Sequence, residues 1–263
     1  MTLRTAVVTG ASAGIGEAFA EALARNGVGL VLVARRQELL ERVANRLRDR
    51  YGVHVEVLAA DLSEPAGRAV VTARLSDSDH PVDLLVNNAG AGSGRPNLLA
   101  DQPPDHLDDT IALNVTALVQ LTRAAVSAMR ERRSGAVLNV ASVAAFLPQP
   151  QGAVYAATKA FVTSFTETVH CEMRQFGVRV VAVCPGFTRR GDAAERGGMR
   201  SSPMPAFLWL DREAVVRDAL AALAAGRVVS VPSARYRLLL GAARLLPRRA
   251  LRRGFERLWA APR

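Results

Sequence analysis

The chain has 263 residues, 49% of them hydrophobic and 5% aromatic, enough for one α/β domain with a sizeable core. Its net charge of +10 is unevenly placed: residues 233–263 hold nine arginines and one glutamate, so +8 belongs to this tail and only +2 to everything before it. Nothing in the near-neutral body suggests a nucleic-acid groove, the unbroken apolar runs are too short to span a bilayer, and two cysteines make no disulfide framework.

Met1–Gly10 reads as the approach to a first strand and not as a signal peptide, so a cytosolic, reduced protein is expected, with Cys171 and Cys184 as small buried residues. Apolar, β-branched runs then recur at Thr5–Thr9, Gly29–Ala34, Val53–Leu58, Val82–Val86, Ala136–Val140, Val178–Val183 and Val228–Val231. Amphipathic helical segments lie between them, among them Gly16–Asn26, Arg36–Arg50, Leu107–Arg132 and Ala153–Phe176. Strands apolar on both faces, alternating with helices, predict a single Rossmann-type, doubly wound parallel sheet covered by helices on each side. That domain is expected over residues 1–232, with a basic helical extension over 233–263. Residues 187–210, rich in Gly, Pro, Arg and Met, are too long for an ordinary connection and read as a substrate lid.

The first strand runs into TGASAGIG, where Gly10, Ser12, Ala13, Gly14, Ile15 and Gly16 form a strand-to-helix turn. Glycines there allow a tight bend and let the backbone approach a pyrophosphate at the positive end of the helix. After the second strand, where a dinucleotide fold places an acid for the ribose 2′-hydroxyl, stand Ala34, Arg35 and Arg36. An arginine fork suits a 2′-phosphate, which points to NADP(H). Asp61-Leu62 follows the third strand, and Asn88, Ala89 and Gly90 follow the fourth, all at carboxyl ends where open α/β sheets bind ligands.

Of 34 basic residues only one is lysine, Lys159, and it lies four residues after Tyr155 in YAATK. TGASAGIG, NNAG, Asn114 in LNV, Ser142, and YAATK thirteen residues after that serine together resemble the short-chain dehydrogenase/reductase family, over about Arg4 to Gly186. The resemblance implies Tyr155 as catalytic acid/base, Lys159 as its partner, Ser142 as the hydroxyl that orients the carbonyl and Asn114 as the residue holding a water in the proton path. It also implies that Asp61 meets the adenine, that Asn88 and Gly90 lie near the adenosine half, and that the protein is a homo-oligomer, dimer or tetramer.

The chemistry leads to the same tyrosine and lysine. Reducing a ketone needs a hydride and a proton for the developing alkoxide, and a free tyrosine, with a pKa of about 10, exchanges protons poorly near neutrality. A cation about 4.5 Å from the phenolate, at an effective dielectric of about 20, is worth roughly 3.7 kcal/mol. A spacing of four places both side chains on one helix face, and a compact ammonium reaches ribose hydroxyls in ways a broad, planar guanidinium does not. The pattern departs from the family after Pro185-Gly186, where Arg190 stands at the position that commonly holds threonine, and Thr188 is the nearer candidate for cofactor contact. The four histidines show no ligand spacing, and no metal is expected.

Met204-Pro205-Ala206-Phe207-Leu208-Trp209-Leu210 makes the lid apolar and suggests a hydrophobic carbonyl substrate, ketoacyl, polyketide or steroid-like. The arginine-rich tail reads as a last helix folded on the body over Ser233–Leu246. Beyond Pro247, contact with anionic lipid or an acidic partner stays open. An enzyme is favoured over an NADP(H)-binding sensor or scaffold, because a sensor has no use for a tuned phenol.

Overall fold

In the computed structural model, which describes residues 2–92, 98–189 and 206–260 with side chains through Glu256, seven strands form one sheet in the order β3-β2-β1-β4-β5-β6-β7. They are β1 Thr5–Thr9, β2 Gly29–Ala34, β3 Val55–Ala59, β4 Leu84–Asn87, β5 Gly135–Val140, β6 Val178–Val183 and β7 Val229–Ser230. Every pairing is parallel, in register Ala6↔Leu84, Thr5↔Gly29 and Gly135↔Val178 at the centre. The fourth strand starts two residues later than its apolar run because Asp83 turns aside, its carboxylate accepting the Arg4 and Thr5 amides at 2.7 and 3.2 Å.

Side-chain alternation sorts the core into two layers. Ala6 and Val8 face Phe19 and Leu23 of α1 (Gly14–Arg25), Leu40 and Leu47 of α2 (Gln37–Tyr51) and Val216 and Leu223 of α7 (Arg212–Ala224). Val7 and Leu85 face Val71 and Leu75 of α3 (Pro65–Ser76), Leu121 and Met129 of α5 (Leu118–Glu131) and Val169 and Met173 of α6 (Ala153–Met173). All six residues of β5 are buried, as a central parallel strand covered on both faces requires.

The segment expected as one helix over Leu107–Arg132 is three pieces. An α4 (Pro104–Ile111) passes into a π-helical turn, Ala112–Ala117, and then into α5. By length and composition alone this composite could cross a membrane, its most apolar 18-residue window having a mean hydropathy of 1.3, but Leu118, Leu121, Ala125 and Met129 pack into the core. Cys184, just past β6, is buried as expected, whereas Cys171 on α6 is exposed. Because the chain winds outward from β1 to β3 and then returns to β4 on the other side of β1, a crevice opens at the carboxyl ends of β1 and β4.

Candidate active site

The glycine turn closes on itself and opens in one direction. Gly10 and Gly14 have φ of 65° and 62°, the left-handed region that a side chain disfavours. A Cβ on Gly16 would stand 2.2 Å from the Gly10 carbonyl oxygen, so the turn packs against the start of α1, while a Cβ on Gly14 would meet nothing within 4 Å. Ala13 caps α1 with an extended backbone and no side-chain acceptor. The first amides of α1 are therefore left without the side-chain partner a helix start usually has, and with the open cradle at Gly14 they fit a pyrophosphate. Ile15 packs partly against the core and steadies the turn from below.

Asn88 locks this turn to the end of β4. Its Nδ2 donates to the Thr9 carbonyl at 2.9 Å and lies within 3.4 Å of the Gly10 carbonyl. The Thr9 hydroxyl accepts from the Asn88 and Ala89 amides, both at 2.9 Å. Asn88 thus acts on the cofactor crevice by shaping it. One residue earlier, buried Asn87 donates to Asn139 at 2.9 Å and to Thr122 at 3.0 Å, and Asn139 donates to Thr166 at 3.0 Å. This polar chain ties β4, β5, α5 and α6 together beneath the site, and the sequence reading missed it because Asn, Asp and Gly at a strand end look like turn residues.

Four candidate catalytic residues converge on the next layer. Lys159 is buried, and its ammonium donates to the Val140 carbonyl at 2.8 Å and sits 5.8 Å from the Tyr155 ring centroid. A Cβ on Gly90 would lie 3.4 Å from Lys159 Nζ and 3.1 Å from Asn114 Oδ1, so the absence of a side chain there lets the main chain approach both polar groups. Burial pulls the Lys159 pKa from 10.5 down to about 8. Burial also pushes the neighbouring Cys184 thiol up to about 11, which leaves it protonated and inert. Ser142 opens a short turn over Val143–Ala145, its hydroxyl accepting the Ala144 amide at 3.2 Å and pointing at the Pro185 carbonyl at 3.5 Å.

Asn114 lies in the π-helical turn, and its side chain is engaged in the protein. Oδ1 accepts the Ala91 amide at 2.8 Å, while Nδ2 donates to the Ala91 carbonyl at 3.0 Å and to Thr158 Oγ1 at 3.0 Å. Thr158 in turn donates to the Tyr155 carbonyl at 2.8 Å. The amide of Asn114 thus clamps the segment after Gly90 to the first turns of α6. At a π turn the helical ladder is shifted, which leaves main-chain carbonyls of this turn as further acceptors.

On the adenosine side, Arg35 and Arg36 are exposed at the end of β2. No acid stands beside them in the chain, but the fold brings one in: Asp61 Oδ2 lies 3.7 Å from Arg35 Nη1. Partial burial works against the Asp61 charge, but the Ser63 amide and hydroxyl at 2.9 and 2.6 Å, with Arg35 beyond them, hold its carboxyl below the usual range. Leu62 is core, so its main chain is what it can offer to an adenine. Buried Arg68, unremarked in the sequence, holds this loop by donating to the Leu62 carbonyl at 3.1 Å and to Gln120 at 3.0 Å.

Past β6, Pro185 and Gly186 meet a residue from far along the chain. Tyr236, buried on α8 (Ala234–Leu245), packs so closely that a Cβ on Gly186 would fall 2.0 Å from its ring. Its hydroxyl accepts the Phe187 amide at 3.1 Å and donates to the Leu208 carbonyl at 2.8 Å, joining the two ends of the segment expected as a lid. Thr188 bonds the Gly186 carbonyl at 3.0 Å and pairs with Leu210, and the Phe187 and Trp209 rings lie 5.7 Å apart. Arg190, Met204 and Pro205 lie outside the described residues. Helical spacing placed an apolar face near Tyr236, but nothing in it shows where a hydroxyl will land.

The family described as short chain dehydrogenase matches residues 4–197. A very-long-chain 3-oxoacyl-CoA reductase of Anas platyrhynchos is 35% identical over 68% of this chain, and the chain spans 58% of that protein's length. A short-chain dehydrogenase from Sphingobium yanoikuyae, solved in complex with NADPH, is 36% identical with a TM-score of 0.81 over 92% of this chain and 94% of its own. The bulky-bulky ketone specific alcohol dehydrogenase from Comamonas testosteroni is 31% identical, with a TM-score of 0.79 over 100% of this chain and 96% of its own. With the glycine turn, the buried Lys159 beneath Tyr155 and Ser142 at the end of β5 gathered in one crevice, this chain belongs to the short-chain dehydrogenase family of oxidoreductases.

Proposed function

We propose that the protein reduces a ketone of a bulky, apolar substrate, a 3-oxoacyl thioester foremost, with NADPH as the hydride source. The observation that carries this reading is the ammonium of Lys159, buried without a carboxylate partner among the described residues, 5.8 Å from the Tyr155 ring. A reduced nicotinamide supplies hydride to the carbonyl carbon when bound. The residues present fit such a group: the open cradle at Gly14 and the amides of α1 would hold its pyrophosphate, and side-chain-free Gly90 would let it approach Lys159.

The protein does the rest. Ser142 donates a hydrogen bond from its hydroxyl to the substrate oxygen, keeping its proton, and fixes the oxygen's position. Tyr155 donates a proton to the same oxygen as charge develops there, a step worth roughly 10²–10⁴ in rate. Lys159 places positive charge beside the phenolate that remains, in a site where burial makes that charge count for more than it does in water. Asn114 keeps the Ala91 main chain and the Tyr155–Lys159 turn of α6 in fixed relation, by the bonds described above.

Arg35 and Arg36 support NADPH over NADH, and the Sphingobium neighbour's NADPH agrees with them. The substrate class rests on the apolar lid feet at Phe187, Phe207 and Trp209, and on the names of the Anas and Comamonas proteins, a 3-oxoacyl-CoA reductase and a bulky-ketone dehydrogenase. Exposed Ile111 and Phe161 on α4 and α6 support a homo-oligomer. The test is NADPH oxidation with long-chain 3-oxoacyl thioesters, bulky ketones, small ketones and sugars. Turnover confined to the small ketones and sugars would overturn the substrate reading.

A further inference from the structure

The two last helices offer a surface that the reductase chemistry does not use. On α8 the inward face, Tyr236, Leu240 and Ala243, is buried against the body. On the opposite face, Leu238 and Leu245, two turns apart, are 74% and 87% exposed, and Leu246 continues them at 52%. A soluble helix usually keeps that face polar. After Pro247 comes α9 (Arg248–Ala260), in which Arg248, Arg249, Arg252 and Arg253 are exposed while Leu251 and Phe255 are half-buried along one stripe. Between residues 233 and 263 the only acid is Glu256, against nine arginines.

Exposed aliphatic residues beside a concentration of arginines select for an occupant that is apolar beneath and anionic at its surface. We propose that the outer face of α8 and the α9 helix dock on an anionic lipid surface, with Leu238, Leu245 and Leu246 entering the acyl boundary and the arginines meeting phosphate headgroups. An acidic protein would match the charge but leaves the outward leucines without a reason, and a second copy of this chain would bring like charges together.

The position of α8 gives the docking a consequence. Its Arg235 donates to the Phe207 carbonyl at 2.8 Å, its Tyr236 joins both lid feet, and its Arg244 guanidinium lies 5.8 Å over the ring of Phe146, four residues past Ser142. Phe207 is itself 60% exposed. A membrane beneath α8 therefore lies beside exposed Phe207, where an apolar substrate of the proposed reaction can pass from the bilayer to the crevice. The docking surface stands on geometry and charge alone and does not depend on the reductase reading.

The experiment is co-sedimentation of the full chain with vesicles of phosphatidylcholine alone and with added phosphatidylglycerol, at low and at high salt. Two double variants accompany it, Leu238→Ser with Leu245→Ser, and Arg248→Gln with Arg252→Gln. All four positions are exposed, so circular dichroism should match wild type. The expected result is binding to the anionic vesicles only, reduced by salt, and weakened about tenfold or more by either double variant. The proposal is overturned by an absence of binding to anionic vesicles at low salt, by equal binding to phosphatidylcholine alone, or by binding that neither double variant weakens. A leucine pair that alters the solution mass while leaving vesicle binding intact would also overturn it, in favour of a contact between copies.

Discussion

A lysine that is buried and, among the described residues, bonded to a carbonyl and paired with no acid is a cost to the fold. In the folded state Lys159 releases its proton near pH 8 and in the unfolded chain near 10.5. Between those values the unfolded state binds more protons, so stability rises with pH through that window, and below it the full cost is present. The difference amounts to about 3 kcal/mol at neutral pH. Lys159→Met removes this cost but leaves the Val140 carbonyl without its donor, worth about 1 kcal/mol. The variant should therefore be about 2 kcal/mol more stable than wild type at pH 7, catalytically dead, and progressively less favoured as pH approaches 10.5. Urea unfolding at pH 7 and pH 10 checks this, and a variant less stable at pH 7, or a difference that ignores pH, would show that the ammonium is not desolvated. Tyr155, Lys159 and Ser142 stood out in the sequence as candidates because the chemistry needs fixed types at fixed spacing, and the fold brings Tyr155 and Lys159 together. The carboxylate of Asp61 beside Arg35 did not stand out, since two strands bring together residues 26 apart in the chain.

At the scale of elements, the alternation of apolar runs foretold the strands to within two residues, because a central parallel strand must be apolar on both faces. Periodicity also joined α4 and α5 into one helix. It cannot register a π turn, which adds one residue to a single turn while the apolar stripe continues on either side. The clamp by α8 was equally hidden, since it depends on the Tyr236 hydroxyl reaching a loop some fifty residues earlier, 49 to the Phe187 amide. Tyr236→Phe keeps the ring against Gly186 but strips an acceptor from Phe187 and a donor from Leu208. Each such loss costs about 1 kcal/mol. The lid feet should then separate, raising KM for an apolar substrate about fivefold or more while kcat and NADPH affinity change less than twofold. Steady-state kinetics settles it: a uniform fall in kcat with unchanged KM would mean that Tyr236 supports the fold and not the lid.

For the whole molecule, the charge distribution already separated a near-neutral catalytic body from a basic C-terminal end, and the fold adds that the two are joined through α8. Cofactor choice belongs to this scale, because it depends on which charges the sheet assembles at its edge. Arg35→Asp places a second carboxylate beside Asp61 and should cost NADPH roughly tenfold to a hundredfold in affinity while leaving NADH unharmed. Titration of both nucleotides checks it, and equal losses for the two would mean that Arg35 only holds Asp61.

The central claim is that one crevice delivers a proton from Tyr155 while the dinucleotide is held elsewhere, by the glycine turn and α1. The most direct measurement compares wild type with Tyr155→Phe, recording NADPH affinity by titration and NADPH oxidation with one accepted ketone. NADPH affinity should stay within about twofold of wild type while turnover falls about a hundredfold to ten-thousandfold. Turnover near the wild-type rate in Tyr155→Phe would contradict it.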